Sequence, residues 1–160
     1  MKAGRRAVTA GLAALAWCPA ALHAIESSDG PDAALQTDAD YAAGMAALKA
    51  GDFGAALQRF ERALRRFPEA ADLHNELGFT NRKLRRMERA FEHYKRALAI
   101  DPRHRGAHEY IGEAYLTVGD LAGAERHVAE LRSICLLPCD ELKELEQAVA
   151  AFRATGQRPS

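Results

Sequence analysis

Residues 73–102, LHNELGFTNRKLRRMERAFEHYKRALAIDP, set the pattern of the whole chain. The pattern recurs at a spacing of 34 residues in YAAGMAALKAGDFGAALQRFERALRRFP (41–68) and in AHEYIGEAYLTVGDLAGAERHVAELRSICLLP (107–138). Gly44, Gly78 and Gly112 share one column, and Ala56, Ala90 and Ala124 share a second. Phe60, Tyr94 and Val128 form a third, and Ala63, Ala97 and Leu131 a fourth. Pro68 and Pro102 close the first two copies, with Leu136 in the third slot. Several columns at one period define an internal repeat.

The residue types predict paired helices. A glycine inside a helix costs about 1 kcal/mol relative to alanine, so three at one helical phase point to close backbone approach. Ala56, Ala90 and Ala124 are expected opposite them, where the second helix of each hairpin crosses the first. Phe60, Tyr94 and Val128 are expected to fill the wider gap beyond that crossing. Pro68 and Pro102 end the second helices, because proline cannot continue a helix smoothly. The expected helices are 38–50, 53–67, 71–84, 87–100, 105–117 and 121–134. Leu142, Leu145, Val149 and Phe152 recur at three- and four-residue spacing and predict a seventh helix over 140–153. Its other face carries Glu141, Glu144, Glu146 and Gln147, as a closing helix requires.

Residues 37–138 resemble the tetratricopeptide-repeat family. Gly51-Asp52-Phe53 at the first turn recurs as Gly119-Asp120-Leu121, while the middle copy departs with Arg85-Arg86-Met87. The resemblance implies an all-α fold: a right-handed superhelical stack of three hairpins (37–70, 71–104 and 105–138) and a capping helix (139–154).

The chain ends carry different signals. Lys2, Arg5 and Arg6 precede the apolar run AVTAGLAALAWCPAALHA, the pattern of a secretory leader over 1–24, cleaved near Ala24. A retained leader would instead anchor the chain in a membrane. Residues 25–37 read as a flexible lead-in and 155–160 as a tail. The full chain has 22 basic and 22 acidic residues. Losing Lys2, Arg5 and Arg6 with the leader leaves 19 and 22, a net charge of −3. That balance argues against nucleic acid as a partner.

Cys135 and Cys139 bracket the loop before the last helix. In an exported chain they are expected to close as a structural disulfide. Two sharper readings stand beside it. Cys139 lies at a helix start, where the dipole favours thiolate, and the four-residue offset resembles the cysteine pairs of exported copper chaperones. A soft-metal site needs further ligands, and His104 and His127 lack convincing spacing. His74 and His108 share a repeat slot and read as packing residues at the edge of the core. The cations of Arg82–Arg105 scatter around several helical faces and read as solvated. No nucleophile with its base, phosphate loop or paired-carboxylate site stands out. The reading is therefore a non-enzyme, with no cofactor, no metal and no small-molecule substrate.

The resemblance implies that the first helices of the hairpins line a concave groove. By repeat phase its wall holds Tyr41 and Met45, then Asn75, Phe79, Arg82 and Lys83, then Glu109 and Glu113. Tyr41, Met45 and Phe79 are expected to be exposed there. Some members of the family grip a C-terminal carboxylate with Lys and Asn in these slots; Tyr41 and Met45 in the first repeat break that clamp. The expected function is a scaffold or adaptor of the bacterial cell envelope that binds another exported protein or peptide in the groove. The runner-up is a copper- or thiol-handling accessory built on Cys135 and Cys139.

Overall fold

The computed structural model describes residues 34–156; the leader, most of the lead-in and the last residues of the tail lie outside them. Seven helices follow in order: α1 (Ala39–Lys49), α2 (Phe53–Leu64), α3 (Ala71–Lys83), α4 (Met87–Ile100), α5 (Arg105–Val118), α6 (Leu121–Ile134) and α7 (Asp140–Thr155). Each odd helix pairs with the next as an antiparallel hairpin, and α7 closes the stack against α5 and α6.

Local chemistry sets the helix starts. The Asp38 carboxylate accepts from the backbone N–H of Asp40 and Tyr41 at 3.0 and 2.9 Å. Asp52 and Asp120 cap α2 and α6 in the same way. α5 is capped by an imidazole: His104 Nδ1 accepts from the Ala107 N–H at 3.0 Å. Inside each hairpin the chain turns through one left-handed residue: Gly51 (φ 75°), Arg85 (φ 60°) and Gly119 (φ 88°). The middle turn therefore keeps the geometry of the other two without glycine, at a steric cost of roughly 1–2 kcal/mol.

The helical glycines differ from the sequence expectation in an instructive way. It is a ring, not a facing backbone, that comes close. A Cβ on Gly44 would stand 2.4 Å from the Phe60 ring, and one on Gly78 would stand 2.5 Å from the Tyr94 ring. In the third repeat Val128 is too short for this role. The space over Gly112 is taken by Leu145 of α7, 2.6 Å from the Cβ position.

The core falls into three clusters along the stack. Leu35, Tyr41, Phe60, Leu73 and Leu77 dominate the first. Ala90, Tyr94, Ile111 and Ala114 form the second, and Leu116, Val128, Leu131, Leu145 and Val149 the third. Leu35, placed in the flexible lead-in by sequence, is fully buried, and Gln36 donates to Asp72 at 3.3 Å. At 34–37, then, the lead-in is packed against the first repeats. α2 also ends at Leu64, three residues short of the expected boundary.

Candidate partner-binding surface

α3 contacts α5, and α5 contacts α7, so the first helices of the hairpins and the closing helix make one wall. The repeat phase places the sequence candidates on it unequally. Met45 is exposed, at 39%. Tyr41 is not: it is 7% exposed and its ring lies 5.8 Å from that of Phe60, so it belongs to the core. Phe79 is half-buried, between Phe53 of the first repeat (6.4 Å) and Tyr110 of the third (5.1 Å). It bridges repeats and shows the wall only part of its ring.

Arg82, read from sequence among the solvated cations, is buried. Its Nη2 donates to Glu113 of α5 at 2.6 Å, and its guanidinium lies 5.4 Å from the Phe79 ring centroid and 5.9 Å from that of Tyr110. Lys83 Nζ also stands over Phe79, at 5.6 Å. Asn75 and Glu109 are buried and Glu113 is half-buried.

Carboxylates that the sequence reading passed over complete the wall. Asp72 accepts from His104 Nε2 at 3.0 Å, and this hydrogen bond holds its acid below the usual range. Burial works against a charge on His104, but Asp72 outweighs it and raises that pKa. Glu76 is pushed up to about 7 by burial and then by Asp72. Glu109 is pushed up to about 8, by burial first and then by a hydrogen bond with Glu144 and the charges of Glu113, Glu144 and Glu141. Two carboxyls in hydrogen bond must hold a proton between them. Tyr110 is pushed up to about 12 by burial and by Glu109, Glu76 and Glu113, so it lies amid the acids. Glu76, Tyr110 and Glu144 stand 34 residues apart, one position after the groove slots counted from sequence, which is the signal that could have found them.

Two histidine pairs repeat across the hairpins. His74 Nδ1 lies 3.1 Å from His93 Nδ1, and His108 Nδ1 lies 2.9 Å from His127 Nδ1. Each inner ring also meets a proline carbonyl through Nε2, at Pro68 and Pro102, both at 3.0 Å. A carbonyl only accepts, so Nε2 of His74 carries its hydrogen; the neutral ring then accepts at Nδ1 from His93. Burial, and next the neighbouring His74 or His108, push His93 and His127 down to about 4. The packing role read from sequence for His74 and His108 is thus a hydrogen-bonded one.

Cys135 and Cys139 are joined, with S–S 2.09 Å and Cα–Cα 6.1 Å, and both sulfurs are occupied in that bond. The loop they close presents Leu136 and Leu137 at 92% and 80% exposure. No three His, Cys, Asp or Glu side chains converge as a metal site among the described residues.

Residues 41–105 match the family profile described as tetratricopeptide repeat. No curated protein matches the chain by sequence. Among solved structures the chain is similar to the TPR2B-domain:pHsp70 complex of yeast Sti1, with a TM-score of 0.66 and 18% identity over 74% of this chain and 95% of that one. The fold is that of a tetratricopeptide-repeat stack, a scaffold for binding other proteins.

Proposed function

We propose that the chain is a non-catalytic interaction module of the bacterial cell envelope, which holds a segment of another exported protein along the wall formed by α1, α3 and α5. The observation that carries this reading is the mixed surface of that wall. It presents exposed Met45 and, farther along, the partly exposed rings of Phe79 and Tyr110, among polar side chains. A flexible thioether and fixed aromatic faces suit an extended or helical peptide. The solved Sti1 domain, captured with pHsp70, lends the fold a precedent for such a partner. The basic, Ala-rich leader supports export, and the closed cysteine pair suits an oxidising compartment.

A photo-crosslinking residue at Met45 tests the wall directly, with one at the exposed outer position Arg96 as control. An adduct with an envelope protein at Met45 and none at Arg96 is the expected result. Equal labelling at both positions, or none at either, refutes the assignment. Mass spectrometry of the purified protein should find an N-terminus near Ile25; an intact Met1 would rule out cleavage.

A further inference from the structure

The wall of α3, α5 and α7 holds six carboxyl groups: Asp72, Glu76, Glu109, Glu113, Glu141 and Glu144. Three of them have cationic partners in the fold. Arg82 takes Glu113 at 2.6 Å, His104 takes Asp72 at 3.0 Å and Arg105 takes Glu141 at 3.5 Å. None of the ion pairs among the described residues takes Glu76, Glu109 or Glu144. Electrostatics ties these three together: Glu109 is hydrogen-bonded to Glu144, and the charges of Glu76 and Glu109 both act on Tyr110. The half-buried Tyr110 ring thus has carboxyl groups about it, an arrangement that attracts a cation both by charge and through the ring face.

A second observation points to a ligand. Asn75 is 5% exposed, its amide lies against the Glu76 carboxyl, and its Oδ1 has no hydrogen-bond partner. A buried amide oxygen without a donor is costly, and most such atoms in folded proteins are satisfied. What Oδ1 lacks is an N–H. Two turns along the same helix, buried Arg82 Nε lacks an acceptor. A polypeptide carries both complements in its backbone, whereas a bare metal ion supplies neither. Beside Asp72, His104 and Glu141 the surface opens into a cleft of about 270 Å³.

Resting on the interaction-module reading above, we propose that this wall receives a lysine or arginine side chain of an extended segment of another polypeptide, with Glu76, Glu109 and Glu144 around the cation and Asn75 hydrogen-bonded to the segment. Charge complementarity selects the occupant: a segment ending in a free carboxylate on this wall would meet like charge, which costs affinity and discriminates against it.

The test is selection of a random peptide library, displayed on phage, against the full chain. Parallel selections use the Glu109→Gln/Glu144→Gln double variant and the outward-facing control Glu130→Gln, each checked for native helicity by circular dichroism. Wild type and the control should enrich Lys or Arg at one fixed peptide position, and the double variant should lose that enrichment. The best peptide, synthesised and titrated, should bind the double variant at least about tenfold more weakly. Peptides enriched without a basic residue, or equally well by the double variant, overturn the proposal and leave the interaction module standing. If no peptide is enriched on any protein, both readings fail. Calcium chloride alone, titrated into the full chain, separates a metal from a side chain: saturable binding that displaces the peptide overturns the proposal as well.

Discussion

Gly78→Ala is the sharpest probe of how the hairpins pack. The added Cβ would stand 2.5 Å from Cδ1 and Cε1 of Tyr94 and 3.0 Å from its Cγ, about 1 Å inside normal contact. Tyr94 has little freedom to retreat, being fully buried with Tyr110 on one side at 6.4 Å. Forcing extra volume into a packed site costs about 1–3 kcal/mol. The helix itself gains about 1 kcal/mol from replacing glycine with alanine. The clash wins, for a net loss of about 1–2 kcal/mol and a fall in Tm of roughly 3–10 °C for a domain of this size. Gly54→Ala is the matched control, since its Cβ would meet only Asp52 Oδ1 at 3.6 Å; there propensity acts alone and Tm should hold or rise. Thermal unfolding followed by far-UV circular dichroism measures both. If Gly78→Ala stabilises the protein as Gly54→Ala does, the ring-over-glycine packing is wrong. Gly78→Ala combined with Tyr94→Leu should lose less than the two single changes together, because the contact they share is removed once.

Further expectations follow from the same geometry. Arg85→Gly relieves the left-handed residue of the middle turn and should raise stability by about 0.5–1 kcal/mol, read as a higher Tm; a lower Tm would contradict the turn assignment. Leu145→Ala empties the space over Gly112 and should cost about 2–4 kcal/mol, with amide exchange rising first in α7 and α6. Reducing Cys135–Cys139 opens only a short loop, worth about 2 kcal/mol in the simplest chain-entropy account, and should loosen α7 while Tyr94 stays protected. Acid should destabilise through His93 and His127. Their folded pKa values lie near 4, below the ordinary 6.5, so this contribution is complete above about pH 6.5 and is lost as pH falls toward 4. Hydration of the partly exposed rings holds the effect to about 1 kcal/mol each, and His93→Gln with His127→Gln should flatten that limb of the pH profile. Glu109 has the opposite sign: its raised pKa means a cost that grows as pH rises from about 4.5 to 8, so Glu109→Gln should stabilise most above pH 8.

Periodicity made the stack readable. A period of 34 residues assigned seven helices, the hairpin pairing and the apolar face of α7, because each of these follows from local phase. Reach was harder to read than phase. Counting along α3 says which face Gly78 shows, but not that a ring sixteen residues later lies flat over it. The substitution of Leu145 for Val128 in the third repeat is a contact between a repeat and the cap, and no repeat column contains it. Exposure on the inner wall failed for a related reason. Tyr41 and Met45 lie one helical turn apart and were counted as equals, yet Tyr41 packs under Phe60 while Met45 faces out. Arg82 was read with its neighbours as solvated because its partner, Glu113, is 31 residues away.

The equal count of acids and bases conceals how the charges are divided. Arginine after arginine is engaged in ion pairs between neighbouring helices: Arg66 with Asp38 and Asp40, Arg59 and Arg62 with Asp40, Arg96 with Glu69, Arg132 with Glu146, Arg153 with Glu125. Most of these arginines are well exposed, and each such pair contributes about 0–1 kcal/mol, too little to account for their number as stability. Their effect on the field is larger, because they neutralise acids at these contacts and leave the surplus elsewhere. That surplus lies on α3, α5 and α7, where Glu76, Glu109 and Glu144 have no cation. Burying acids together raises the free energy of the folded chain, and Glu109 and Glu144 relieve it only by sharing a proton. A wall made for packing alone would carry apolar side chains at these positions, as the same repeat elsewhere does at Tyr41 and Leu116. Carboxyls that destabilise the free protein become favourable once a cation arrives, which is the differential affinity that a specific binding surface requires.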